Sequence, residues 1–241
     1  MTLRSLFALT ACLCLPLFAQ EPPKPAPTPD AKEQAPKTLQ LGQRVAGEIT
    51  LLDLDGKPLK AHDQMGKLTV VNFYSIQCPI QRAWDQRLAA IQKDFAGQGV
   101  TFLHINSNAT EIGTEPPKPE GDAKPYANVR DHLAKSELPF RVLVDHGNKV
   151  ADLFDAKTTP HVYVFGKDGK LVYKGLVDDD QKDKNAEKRQ NHLRDVLGKL
   201  LKGETVEPFA TKEQGCTIKR AGAAGGRARG EGRRRGEGGG D

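Results

Sequence analysis

Two periods alternate along the middle of this chain. Short runs of β-branched, aromatic and aliphatic residues give way to stretches in which apolar residues recur every three or four positions. Thr69 to Tyr74 is the first run with the content of a buried strand, and Val100 to Ile105 is the second. Between them Ile80, Trp84, Leu88, Ile91 and Phe95 fall on one helical face, and Gly97-Gln98-Gly99 supplies a stop. Further on, Arg141–Val144, His161–Phe165 and Leu171–Tyr173 read as strands. Tyr126, Val129 and Leu133 mark a short helix, Asn148–Phe154 another, and Leu193, Val196, Leu197 and Leu200 a closing helix ended by Gly203. Leu41 to Leu59 reads as a hairpin turning at Asp55-Gly56, and Lys167 to Lys170 as a second hairpin turn. Strands alternating with helices predict an α/β domain.

The flanks follow other rules. Met1 to Ala19 has a charged start at Arg4, an apolar run to Phe18 and a small residue at its end, so residues 1–19 read as a secretory signal. The run is too short to span a bilayer comfortably. Leu9-Thr10-Ala11-Cys12 also resembles a bacterial lipobox, ranked second, and lipidation at Cys12 is the one route to a membrane foreseen here. Residues 20–38 are rich in Pro, Ala and charge and predict an extended linker. The folded domain is placed at 39–203, an extension holding a second cysteine at 204–219, and a flexible Gly/Arg-rich tail at 220–241. A hydrophobic share of 37% fits a chain of which part is not core. The net charge is +5, but seven Lys and Arg against three acids from Lys219 onward account for four of those units. The body is neutral, which removes a general electrostatic argument for nucleic acid or membrane. The expected location is periplasmic or secreted.

Four cysteines are present, and Cys12 and Cys14 fall in the signal. The remaining two, Cys78 and Cys216, suggest one bridge or one redox pair in an exported protein. Cys78 follows a strand and precedes Pro79, which suits the first position of a helix. A sulfur at that N-cap meets free backbone N–H groups and the positive end of the helix dipole, and Arg82 adds a charge one turn in. Both favour the thiolate, which is the reactive form. A buried structural cysteine is the plain alternative, and polar Gln77, Gln81 and Arg82 argue against it.

The strand, Cys78 and helix, with Thr158-Thr159-Pro160 before a later strand and hairpin, resemble the thioredoxin-like superfamily. More narrowly they resemble its redoxin branch, the alkyl hydroperoxide reductase/thiol-specific antioxidant family, over roughly Leu41 to Leu201. The resemblance implies a thioredoxin-like three-layer α/β sandwich with a central mixed sheet. It implies a cis bond at Thr159–Pro160, with Thr159 and Pro160 shaping the groove for a peptide or thiol partner. It also implies Cys78 as nucleophile, Ser75 and Arg82 as thiolate-stabilising groups, and no cofactor.

The chain departs from its relatives' patterns. Gln81 stands where thioredoxins carry the second cysteine of Cys-x-x-Cys, and Asn72 where they carry a buried carboxylate. A mixed disulfide at Cys78 needs a second thiol for release. Cys216, on a flexible segment, is the candidate resolving thiol; the alternative is an outside thiol, with Cys216 free or pairing between chains. Peroxiredoxins place Pro, then Thr or Ser, then Cys at fixed spacing. Ser75 and Cys78 fit, Val71 stands at the Pro position, and Arg82 and Lys174 are the stand-ins for the peroxide-polarising arginine. Three readings stay open: an exported thiol–disulfide oxidoreductase acting on protein or small-molecule thiols and disulfides, a thiol peroxidase, and a non-catalytic binding module. No metal is expected. His161 with Cys78 gives too few ligands, and Asp178-Asp179-Asp180 reads as a solvated loop. Asn108 to Lys124 is long, polar and Pro-rich and reads as a mobile insertion.

Overall fold

The central run, Leu68–Tyr74, is buried on both faces, so it needs layers above and below it. Leu68, Val70 and Tyr74 point to one core and Val71 and Phe73 to a second. A computed structural model describes residues 38–118 and 123–222. The signal, nearly all of the linker, Cys12, Cys14 and the tail from 223 lie outside the described residues.

In chain order the elements are β1 (Thr50–Leu52), β2 (Pro58–Lys60), β3 (Leu68–Tyr74), α1 (Pro79–Ala96), β4 (Val100–Asn106), α2 (Ala109–Ile112), α3 (Ala127–Lys135) and β5 (Val142–Val144). There follow α4 (Lys149–Leu153), β6 (Thr158–Thr159), β7 (His161–Phe165), β8 (Leu171–Gly175), α5 (His192–Leu201), β9 (Phe209–Ala210) and β10 (Cys216–Thr217). Among the described residues eight strands form one mixed sheet in the order β2-β1-β5-β4-β3-β7-β8-β9, and β6 and β10 form a separate two-stranded ribbon. β3 at the centre runs parallel to β4, with Tyr74 beside Asn106, and antiparallel to β7, with Phe73 beside His161. Residues of α1, α3 and α5 fill the core on one face, and α4 covers the other. This is the thioredoxin-like sandwich, and the Thr159–Pro160 bond is cis.

Three segments differ from the sequence-based expectation. Asn108 to Lys124 is not all loop: it opens with the α2 turn, where Glu111 and Ile112 are buried. The Asp178–Asp180 run is not a solvated loop. Asp178 accepts from the Trp84 indole N–H at 2.8 Å and pairs with Arg87 at 3.3 Å, while Asp180 pairs with Arg189. Arginine and indole donors supply what water was expected to supply. The 204–219 extension is laced onto the body: β9 adds to the sheet edge beside β8, and β10 pairs with β6. Arg220 donates to the Ala156 carbonyl at 2.7 Å and the Ala221 N–H to Asn148 Oδ1 at 2.7 Å, so bonded structure runs past 219. Among the described residues no helix is long and apolar enough to cross a membrane.

Candidate functional site

The site begins where β3 leaves the sheet. Its chain must turn within four residues into α1, and the backbone N–H groups exposed by that turn need acceptors. Ser75 and Glu111 provide them. The Ser75 hydroxyl accepts from the N–H of Cys78 at 3.1 Å and of Gln77 at 3.3 Å, and donates to the Glu111 carboxylate. Glu111, from α2, also accepts from the N–H of Ile76 at 3.0 Å, of Gln77 at 3.1 Å and from Asn106 Nδ2 at 2.7 Å. Ser75 therefore shapes the loop that carries the cysteine; its bonds go to backbone and carboxylate.

Cys78 is the N-cap of α1, with φ −80° and ψ 113°, and Pro79 follows at the first helical position. Its Sγ accepts from the Gln81 N–H at 3.2 Å and its S–H donates to the Thr159 carbonyl at 2.9 Å. The residue is 2% exposed. Arg82 is exposed, and its charge acts on Asp85 and His132. Lys174 on β8 acts on His161.

Cys216 sits directly across from Thr159 in the β6–β10 ribbon. It is a free thiol like Cys78, whose S–H donates to the carbonyl of that same Thr159. The two cysteines thus meet at Thr159. Burial pushes the Cys216 thiol up from its ordinary range, and the neighbouring Cys78 adds to that. The structure brings Cys78, Cys216, Thr159 and Pro160 together.

His161, just after the proline, is buried, with Nδ1 3.1 Å from the Tyr163 hydroxyl. Burial holds it down at about 4, so the ring is neutral at pH 7. Under α1 runs a second polar line. Asn72 Nδ2 lies 3.4 Å from Gln81 Oε1 and 3.3 Å from His104 Nδ1, and Gln81 Nε2 donates to Asp85 at 2.8 Å. Gln81, in the place of a second active-site cysteine, is wholly buried and bridges Asn72 to Asp85. His104 is held down at about 3 by burial.

Burial lifts the Asp85 carboxyl to about 6, against the Gln81 bond and the Arg82 charge. A carboxyl bound more tightly to its proton in the folded state adds stability below the unfolded value. That stability is lost as pH rises through about 6. The loss is about 3 kcal/mol at most. Asp85→Asn keeps an acceptor for Gln81 and carries no charge. In urea melts it is expected to exceed wild type at pH 8 by up to about 3 kcal/mol and to match it near pH 4. A constant offset across that range would contradict a raised Asp85.

Sequence reading missed Glu111. Its signal was Asn108 three positions ahead of it, the spacing of a helix start, inside a stretch otherwise read as loop.

Residues 42–174 match the AhpC/TSA family model. Thiol-disulfide oxidoreductase ResA of Bacillus cereus (strain ZK / E33L) is 24% identical over 136 residues, which are 56% of this chain and 69% of that protein. An uncharacterized conserved protein from Geobacillus kaustophilus is 28% identical with a TM-score of 0.64, over 78% of this chain and 95% of that one. A hypothetical protein from Sinorhizobium meliloti 1021 is 26% identical with a TM-score of 0.61, over 77% and 97%.

Proposed function

Because the chain belongs to the AhpC/TSA family, we propose that it is a thiol–disulfide oxidoreductase in which Cys78 is the nucleophile and Cys216 the resolving thiol. The observation that carries this reading is that two free thiols meet at one residue: the Cys78 S–H donates to the Thr159 carbonyl, and Cys216 stands opposite Thr159 in the β6–β10 ribbon. The name of the Bacillus relative, a thiol-disulfide oxidoreductase, supports the reaction class.

The Cys78 thiolate attacks one sulfur of a partner disulfide, a new S–S bond forms, and the partner's other sulfur leaves as a thiolate. The Cys216 thiolate then attacks Cys78 Sγ and expels the partner's first sulfur. The partner gains two electrons, and the Cys78–Cys216 pair loses them. The two protons given up by the cysteines end on the released partner thiols. An outside dithiol returns the pair to its reduced form, and run backwards the same steps oxidise a dithiol partner. The Gln81 N–H, which donates to Cys78 Sγ, is placed to stabilise negative charge on that sulfur each time it attacks or leaves. Residues 1–19 act as an export signal and 20–38 as a tether, and an oxidising compartment suits such a pair. Thr159 and Pro160 present the partner surface. Hydrogen bonds to and from Cys78 Sγ run to backbone groups, while Arg82 is exposed, which favours exchange over a peroxidase role.

A redox titration with thiol counting by mass tests this. A reversible Cys78–Cys216 disulfide is expected, with a potential of roughly −120 to −270 mV. Thiols that never pair would remove Cys216 from the mechanism.

A further inference from the structure

The ribbon β6–β10 raises a question of access. Cys78 is 2% exposed, and the edge of β6, where Thr159 meets it, is occupied by the chain's own C-terminal segment. An edge strand left open invites an extended chain to pair with it. Here β10 takes that place, antiparallel, with Cys216 opposite Thr159, the residue whose carbonyl takes the Cys78 S–H. Resting on the reading above, we infer that β10 is a built-in stand-in for the partner: the substrate is an extended polypeptide segment with a disulfide-bonded cysteine, which displaces β10, pairs with β6 and presents its sulfur where Cys216 now lies.

Several features fit a strap that docks closely yet lets go. Gly215 lies against the Thr159 backbone; a Cβ there would stand 2.4 Å from the Thr159 oxygen and 2.7 Å from its carbon. Any other residue would lift the strand off. Behind β10, Ile218 is the buried plug, its N–H donating to the Lys157 carbonyl at 2.9 Å, and Lys219 exchanges bonds with Asn108 and Ala109. Ahead of it, Thr211 Oγ1 holds Leu176 N–H at 2.9 Å. Between these anchors Lys212 to Thr217 is exposed or half-buried, and two residues of ladder are a small barrier to release. The same segment then serves twice. It leaves to admit the partner's cysteine, and returns to place Cys216 on Cys78 and expel that cysteine as a thiol.

The probe is a short unstructured peptide whose single cysteine is capped as a disulfide with 2-nitro-5-thiobenzoate. Adduct formation at Cys78 is followed by mass in Cys216→Ser, in Gly215→Ala/Cys216→Ser and in Cys216→Ser/Ile218→Ser, all as full chains. The two strap substitutions are expected to speed loading by about tenfold or more. In Cys216→Ser already loaded with the peptide, which keeps the natural strap, amide exchange across 212–219 should rise by about tenfold while β3 and β4 stay protected. Unchanged loading together with unchanged exchange at 212–219 overturns the strap. If Cys78 forms no adduct in any variant, with peptide or with 5,5′-dithiobis(2-nitrobenzoic acid), the oxidoreductase reading itself falls, and the strap with it.

Discussion

Cys78→Ser is expected to lower disulfide exchange by about three orders of magnitude or more, to the uncatalysed background, and Cys216→Ser to complete the first attack and stop. A serine hydroxyl is not ionised at neutral pH and forms no disulfide, so nothing replaces the sulfur. Cys216→Ser still carries Cys78 at the α1 N-cap, with the Gln81 N–H on its sulfur. It therefore attacks a partner disulfide, and the mixed disulfide accumulates because the hydroxyl that replaces the second thiol cannot expel it. Intact-mass analysis during single turnover reads both results: no adduct for the first variant, one stable adduct for the second. Steady turnover by Cys216→Ser without added thiol would reassign the resolving step.

Glu111→Ala is expected to cost about 3–5 kcal/mol of stability and to slow exchange as well. The carboxylate is 6% exposed and accepts from the Ser75 hydroxyl, two backbone N–H groups and Asn106. Alanine leaves the buried Ser75 hydroxyl and Asn106 amide and the half-buried Ile76 N–H without this acceptor, while the Gln77 N–H keeps Ser75 Oγ; each lost partner costs about 1–3 kcal/mol, partly offset by relaxation. The loop they brace ends at Cys78, so the sulfur loses its position over Thr159 as the loop relaxes. Glu111→Gln keeps one acceptor oxygen, and its cost should fall to about 1–3 kcal/mol. Urea midpoints and the rate of Cys78 alkylation check both effects. A change under about 1 kcal/mol for Glu111→Ala would mean that water reaches these donors.

Much of the fold was legible because its signals are local. A strand or helix period is written within a dozen residues, and the sheet's centre at Thr69–Tyr74 and the α1 face needed nothing else. Cys78 was legible for the same reason: strand, cysteine, proline and helix follow one another without a gap. Pro160 was found through likeness to a family, and the backbone there is as that likeness implied.

The misreadings share one cause. Asn108–Lys124, Asp178–Asp180 and the 204–219 extension are polar, and polarity states only that a group needs partners. Whether water or distant protein supplies them is decided when remote segments meet. Glu111 finds Ser75 across 36 positions, Asp178 finds Trp84 across 94, and Cys216 finds Thr159 across 57. No pattern along the chain records such a meeting. By itself, then, the sequence determined most of the elements, the sheet that α1 and β3 organise, and a cysteine at a helix start. Only the tertiary structure decided that a buried carboxylate braces the cysteine loop and that the chain's own C-terminal strand lies on the site. Those contacts depend on which edges and donors the packed sheet leaves open, a property of the assembled surface and not of any stretch of residues.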